Sequence, residues 1–123
     1  MADTRLATNT GMYRSTRLVG CEVENPQGEH LGSIDDLVID LGEGRVVAAI
    51  LAFGGILGVG KKRVPIPVSA LGYDPGVRKC LLNVPKEMLK KAPSFPEDEW
   101  PEVLDQVWAS EVYTHYGCKP YWP

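Results

Sequence analysis

The sequence predicts a mainly β protein, a small barrel or sandwich, followed by a short helix and a helical tail. Three observations carry this. Short β-branched runs alternate with Gly, Pro and Asn turn clusters, roughly every 8 to 12 residues, up to Val84. The pattern turns helical at Pro85. All three tryptophans and three of the five tyrosines lie after Phe95, in a stretch with helical spacing.

Residues 1–15 are polar and Thr-rich and read as a flexible leader. "RLVGCEVE" is the first apolar run, ended by the turn cluster Asn25, Pro26 and Gly28. "HLGSIDDLVID" is the second, ended by "LGEG", where Gly42 and Gly44 allow a tight reversal. "RVVAAILAF" reads as a central strand covered on both faces, with a buried helix as the competing reading. "KRVPIPVSAL" is a strand at an edge or a strand end, because Pro65 and Pro67 exclude a helix interior. "GYDPG" is a turn and "KCLLNV" another strand. "PKEMLKKAP" places Pro85 in a first turn, Glu87 early and Lys90 and Lys91 late, in keeping with the helix dipole. Residues 94–117 read as one further helix of about 20 residues, roughly 30 Å long. Ser94 or Asp98 caps it, Gly117 ends it, and Trp100, Leu104, Val107, Trp108 and Val112 form its apolar stripe. "CKPYWP" is too proline-rich to continue it.

Composition narrows the function. The chain has 123 residues, 44% of them hydrophobic, and a net charge of −3. That suits one folded domain and supplies no global attraction for nucleic acid or an anionic membrane. Cys21, Cys80 and Cys118 form no C-x-x-C pair, and with His30 and His115 they fit no zinc spacing. Reduced thiols are the expectation. "VVAAILAFGGILGVG" is the longest uncharged run, 15 residues from Val46 to Gly60, short of the roughly 18 to 20 of a spanning helix. A cytoplasmic location without a membrane span is the resulting expectation.

Gly55, Gly60 and Lys61 have the G-x-x-x-x-G-K spacing of a phosphate loop. Such a loop needs a helix immediately after the lysine and a hydroxyl for magnesium. Here Lys62, Arg63 and "VPIPV" come next, so the glycines are read as a bend between two strands. Ile56, Leu57 and Val59 are then apolar residues at a loop tip, which points to a contact surface.

The order of these motifs resembles the PRC-barrel family. The carriers are Leu18-Val19-Gly20, "NPQGEHLGSIDDLVID", Gly44, "FGGILGVGKKRVPIP", Ser69-Ala70-Leu71 and "PKEMLKKAPSF". Val68 departs from the pattern, which has an aromatic there. The tail with "EWP", Trp108 and "YGCKPYW" looks like the extension of free-standing bacterial members. That family includes the cytoplasmic domain of the photosynthetic reaction-centre H subunit and the C-terminal domain of a ribosome maturation factor. The resemblance implies a five- or six-stranded β-barrel over residues 16–93, an aromatic extension over 94–123, and an interaction module, often dimeric. It supplies no catalytic residues.

Other clusters compete with plain structural roles. On a strand Asp36 and Asp40 share a face while Asp35 points the opposite way; two carboxylates together suit a cation or acid–base work, but solvated strand ends and turn caps explain them better. Lys61, Lys62 and Arg63 suit RNA, or a rim docking the acidic Glu97 to Glu99 of a partner chain. No nucleophile–base pair is visible, so the expectation is a protein that is not an enzyme, with no cofactor and no metal. The expected function is a self-associating protein-interaction or adaptor module, with Ile56, Leu57, Val59, Trp100, Trp108, Tyr116, Tyr121 and Trp122 as contact residues. The alternatives are an RNA- or ribosome-associated factor and an accessory protein of a photosynthetic electron-transport complex.

Overall fold

A computed structural model describes residues 11–54, 61–96 and 98–122. Seven strands form one sheet in the order β5-β6-β1-β2-β3-β4-β7. They are β1 (Glu22–Glu24), β2 (His30–Asp40), β3 (Arg45–Gly54), β4 (Lys61–Pro67), β5 (Leu71–Asp74), β6 (Lys79–Leu82) and β7 (Phe95–Pro96). Three helices, α1 (Ser15–Leu18), α2 (Lys86–Lys90) and α3 (Gln106–His115), complete the described chain with a 3-10 turn at Val68–Ala70. The ladder from β1 to β4 is antiparallel, while β1 and β6 run parallel. The mainly β class is therefore as expected. The sheet stays open, with β5 and β7 as its ends.

Side chains from β1 to β6 nevertheless enter one core. Val23, Leu31, Ile34, Leu51, Val64, Ile66, Leu71, Cys80 and Leu82 lie in it, and Leu89 of α2 closes one side. Neighbouring strands can share one cluster in this way only if the sheet curls. The register shows how. Ile34 faces Leu51 but Asp36 faces Ile50, so Asp35 is an extra residue. Val38 faces Ala48 and Ile39 faces Val46, so Val47 is another. Val23 faces Gly32 and Glu24 faces His30, which leaves Leu31. Each such β-bulge bends and twists its strand.

Strand β3 is buried on both faces, as its unbroken apolar run predicts. Ala49, Leu51 and Phe53 face the main core. Val47 and Ala48 face a second cluster on the opposite side, with Ala109, Val112 and Tyr113 of α3 and with Tyr121 and Trp122 of the tail. The tail thus packs on its own sheet. Asn25 is the sole buried polar residue among those described, and it organises the β1–β2 turn. Its Oδ1 accepts from the Gln27 and Glu29 N–H groups, and its Nδ2 donates to Glu29 and to the Val84 carbonyl at 3.2 Å.

Several local expectations are corrected. Arg17 and Leu18 of the first run belong to α1, and only Glu22–Glu24 is strand, because Gly20 turns the chain at φ +90° between them. "GYD" belongs to β5; the reversal lies after it, where Asp74 Oδ1 accepts the Gly76 N–H at 3.0 Å and Arg78 takes φ +55°. Pro85 is the N-cap of α2 in extended conformation, outside the first turn. The long helix over 94–117 is absent. Phe95–Pro96 pairs with β4, and α3 begins only at Gln106. Pro96 and Pro101 remove backbone donors upstream, and Asp105, not Ser94 or Asp98, caps the helix by accepting the Trp108 N–H at 3.1 Å. Its inward face is Ala109, Val112 and Tyr113. Leu104 lies before α3, Val107 faces solvent, and Trp100 packs on Phe95 with ring centroids 4.9 Å apart. Gly117 does end the helix, at φ +64°.

Candidate docking groove

The turn "DLGEG" carries the end of β2 past the sheet, and α3 lies across the start of β3. Between them runs a groove of about 490 Å³. Val38, Ile39, Asp40 and Leu41 line one wall, Val47 the floor, and Leu104, Asp105, Gln106, Trp108 and Ala109 the other wall, with Tyr121 at one end.

Two hydrogen bonds set the groove's shape. Val47 is a bulge residue, so its carbonyl is displaced from the regular ladder; Tyr113 donates its hydroxyl to that oxygen at 2.7 Å. This bond anchors α3 over the bulge. Tyr121 donates to Asp40 Oδ2 at 2.6 Å, which ties the tail to the end of β2. Asp40 Oδ1 accepts the Glu43 N–H at 3.1 Å, closing the turn. The Tyr121 hydrogen bond, with that of Glu43, holds the Asp40 carboxyl below its usual range. Burial, together with Asp40, pushes the Tyr121 hydroxyl up to about 12. Arg45, paired with Asp40 across the hairpin, places its guanidinium 4.6 Å from the Tyr121 ring centroid. Trp122 packs on Tyr113 at 5.2 Å and on Tyr121 at 5.0 Å.

The rim is unusually apolar for a solvent-facing surface. Ile39 is 57% exposed, Leu41 89% and Leu104 44%. A monomer seldom leaves several large hydrophobic residues around one concavity unless something binds there.

Of the expected contact residues, Trp108, Tyr116, Tyr121 and Trp122 do meet around Val47. Trp108 and Tyr121 line the groove. Tyr116 sits beneath, touching both clusters, and burial pushes its hydroxyl pKa up. Trp100 lies apart, on Phe95. Ile56, Leu57 and Val59 fall outside the described residues, as do Gly55 and Gly60 of the phosphate-loop spacing. Lys61 opens strand β4, so the helix that such a loop requires does not begin there.

The charged clusters also resolve. Inward Ile34 and Leu37 bracket the bulge, so Asp35 and Asp36 both face outward, against the expected alternation. Asp35 forms an ion pair with Arg63 of β4, and Asp36 accepts the Leu37 N–H. The described residues contain no grouping of His, Cys, Asp and Glu able to hold a metal. Lys62 pairs with Pro96 in the β4–β7 ladder. Cys21 and Cys80 are buried free thiols in the main core; burial, then Cys21, pushes the Cys80 thiol pKa up, which disfavours the reactive thiolate.

That Ile39 and Leu41 line the groove was not legible in the sequence. The nearest local signal was the continuation of "VID" into "L" across a turn, where polar residues are usual.

The fold is thus a curled, bulged, mainly antiparallel sheet with a largely apolar groove beside α3. The profile of the PRC-barrel domain matches residues 10–89, and the chain belongs to that family. A search of curated proteins finds no match. No helix among the described residues is long and apolar enough to cross a membrane.

Proposed function

We propose that this chain is a protein-interaction module that works without catalysis, and that its docking surface is the groove between the end of β2 and α3. The observation that carries this is the set of exposed Ile39, Leu41 and Leu104 lining an open concavity. Binding sites are typically concave and mostly apolar, with a few placed polar groups. Self-association belongs to the same proposal. The RNA reading gains less, because Arg63 of the basic triplet is engaged by Asp35.

The test separates binding from folding. Leu41→Ser with Leu104→Ser removes rim side chains that are already solvent-exposed, so the melting temperature should stay within about 3 °C of the parent. Association, followed by light scattering across concentration, should fall if copies meet through this surface. A large loss of stability in the double variant would show that the two leucines serve the fold, and would sink the docking reading.

A further inference from the structure

We infer that residues 118–122 form a detachable strap, and that the surface beneath it is a recognition seat for a peptide carrying adjacent tyrosine and tryptophan. The tail is the resident ligand of that seat. The inference concerns the sheet face next to the groove and does not require the groove itself to dock a partner.

Side chains hold the strap. Helix α3 ends in a glycine turn, with Gly117 at φ +64°. The Gly117 N–H donates to the Thr114 carbonyl at 3.1 Å, and the Cys118 N–H donates to the Tyr113 carbonyl at 2.9 Å. This turn directs the chain back onto the cluster around Val47. Beyond it, residues 119–122 belong to no helix or strand, and their backbone joins no ladder of the sheet. Segments of this kind open more easily than paired strands.

Each anchor has its own receptor group. The Tyr121 hydroxyl donates to Asp40 at 2.6 Å, and the Arg45 guanidinium covers the same ring. The Trp122 ring lies 5.2 Å from the Tyr113 ring. Val47 and Ala48 supply the apolar floor. Lys119 and Pro120 are exposed, so recognition falls on the two aromatic residues.

These groups specify the ligand. The Asp40 carboxylate takes a hydroxyl donor and repels an acidic side chain. A guanidinium favours an aromatic face, and the Tyr113 ring accepts a second ring against it. A Tyr-Trp pair meets all three demands. Tyr121 also forms one end of the groove, and Val47 is the groove floor. Lifting the strap would therefore lengthen the groove over Val47 toward Tyr113, so the strap sets how long a ligand this surface accepts.

The test supplies the strap in trans. Tyr121→Ala with Trp122→Ala in the full chain removes the resident side chains and keeps every receptor group. The probe is the peptide Lys-Pro-Tyr-Trp-Pro, followed by amide NMR shifts of the labelled protein. It should bind this variant saturably and move the Arg45, Val47 and Tyr113 signals. The parent should bind it at least about tenfold more weakly, because its seat is free only while the strap is open. The peptide Lys-Pro-Phe-Trp-Pro lacks the hydroxyl and should bind the variant about tenfold more weakly than the tyrosine peptide. Adding Asp40→Asn should narrow that gap. Adding Leu41→Ser and Leu104→Ser should leave binding unchanged, since neither residue belongs to the tail's cluster; the docking reading of the groove can thus fail without this one. Equal binding by parent and variant, shifts confined to other surfaces, loss of binding through the two leucine changes, or no shifts at millimolar peptide would each overturn the inference. Should the double alanine variant not fold, a urea titration of the parent decides. The ring signals of Tyr121 and Trp122 should change at lower urea than the methyl signals of Ile34 and Leu51. A single shared transition would overturn the inference.

Discussion

The Tyr121 hydroxyl donates to Asp40 Oδ2 across 81 residues of sequence, at 2.6 Å, and fastens the aromatic tail to the end of β2. Because this bond needs a protonated tyrosine and is stronger to an ionised carboxylate, it ties stability to pH at both ends. Asp40 is held below its ordinary 3.8, so its contribution is present above that value and is lost as pH falls through the folded pKa. Tyr121 is raised from 10.0 to about 12, so its contribution is full below 10.0 and is lost as pH rises toward 12. Tyr121→Phe should flatten both limbs and lower stability modestly in between. Urea midpoints at several pH values, parent against variant, measure this. An unchanged acid limb would mean that other carboxylates control it.

Tyr113→Phe removes only the hydroxyl that donates to the Val47 carbonyl. The bulge then keeps a buried acceptor with no replacement, costing about 1 to 3 kcal/mol. Because that bond anchors α3 over β3, protection of the α3 amides from hydrogen exchange should fall more than that of β2 or β6. A uniform loss would show that α3 and the sheet open together.

Gly32→Ala should be among the most damaging single changes. Gly32 sits at φ +151°, and a Cβ there would run into the Ala52 carbonyl oxygen of β3, well inside contact distance. A backbone carbonyl in a ladder cannot step aside as a side-chain tip can. The expected cost is about 3 kcal/mol or more, visible in denaturant unfolding. Gly28→Ala is the control: its φ is +82° but nothing lies near its Cβ, so the cost is conformational alone, about 1 kcal/mol.

Asp105→Ala removes the α3 cap and should cost about 1 kcal/mol, whereas Asp105→Asn should cost little. Equal losses would show that charge at the helix start, rather than the hydrogen bond, is what matters.

Asn25→Ala tests the β1–β2 turn. It deletes both the acceptor for the Gln27 and Glu29 N–H groups and the donor to the Val84 carbonyl, three hydrogen bonds that shape the turn. A cost of about 2 to 3 kcal/mol is expected in thermal or denaturant melts.

The strands β2 and β3 were legible because their cues are local. His30–Asp40 ends at a glycine turn, and the apolar run from Arg45 is too β-branched at its start and too uniformly buried for a half-exposed strand. The same local logic excluded a phosphate loop at Lys61, since two prolines in the next six residues allow a strand and not a helix. The tail was misread for the opposite reason. Trp100, Leu104, Val107 and Trp108 have helical spacing, yet Pro101 and the Asp105 cap delay the helix, and the residues that face inward are Ala109, Val112 and Tyr113. Periodicity gives the existence of a helix; it does not say which stripe finds a surface.

By itself the sequence determined the β class, the family pattern and the aromatic weight of the C-terminal end, because turn chemistry and strand propensity act between near neighbours. Only the tertiary structure decided where the bulges fall, and with them the groove. Whether Val47 or its neighbour is the extra residue depends on how β2 and β3 settle into register over a shared core. That choice turns Val47 and Ala48 toward α3, brings Tyr121 to Asp40, and leaves Ile39 and Leu41 projecting beside Leu104. These contacts join residues far apart in the chain, so no local pattern encodes them.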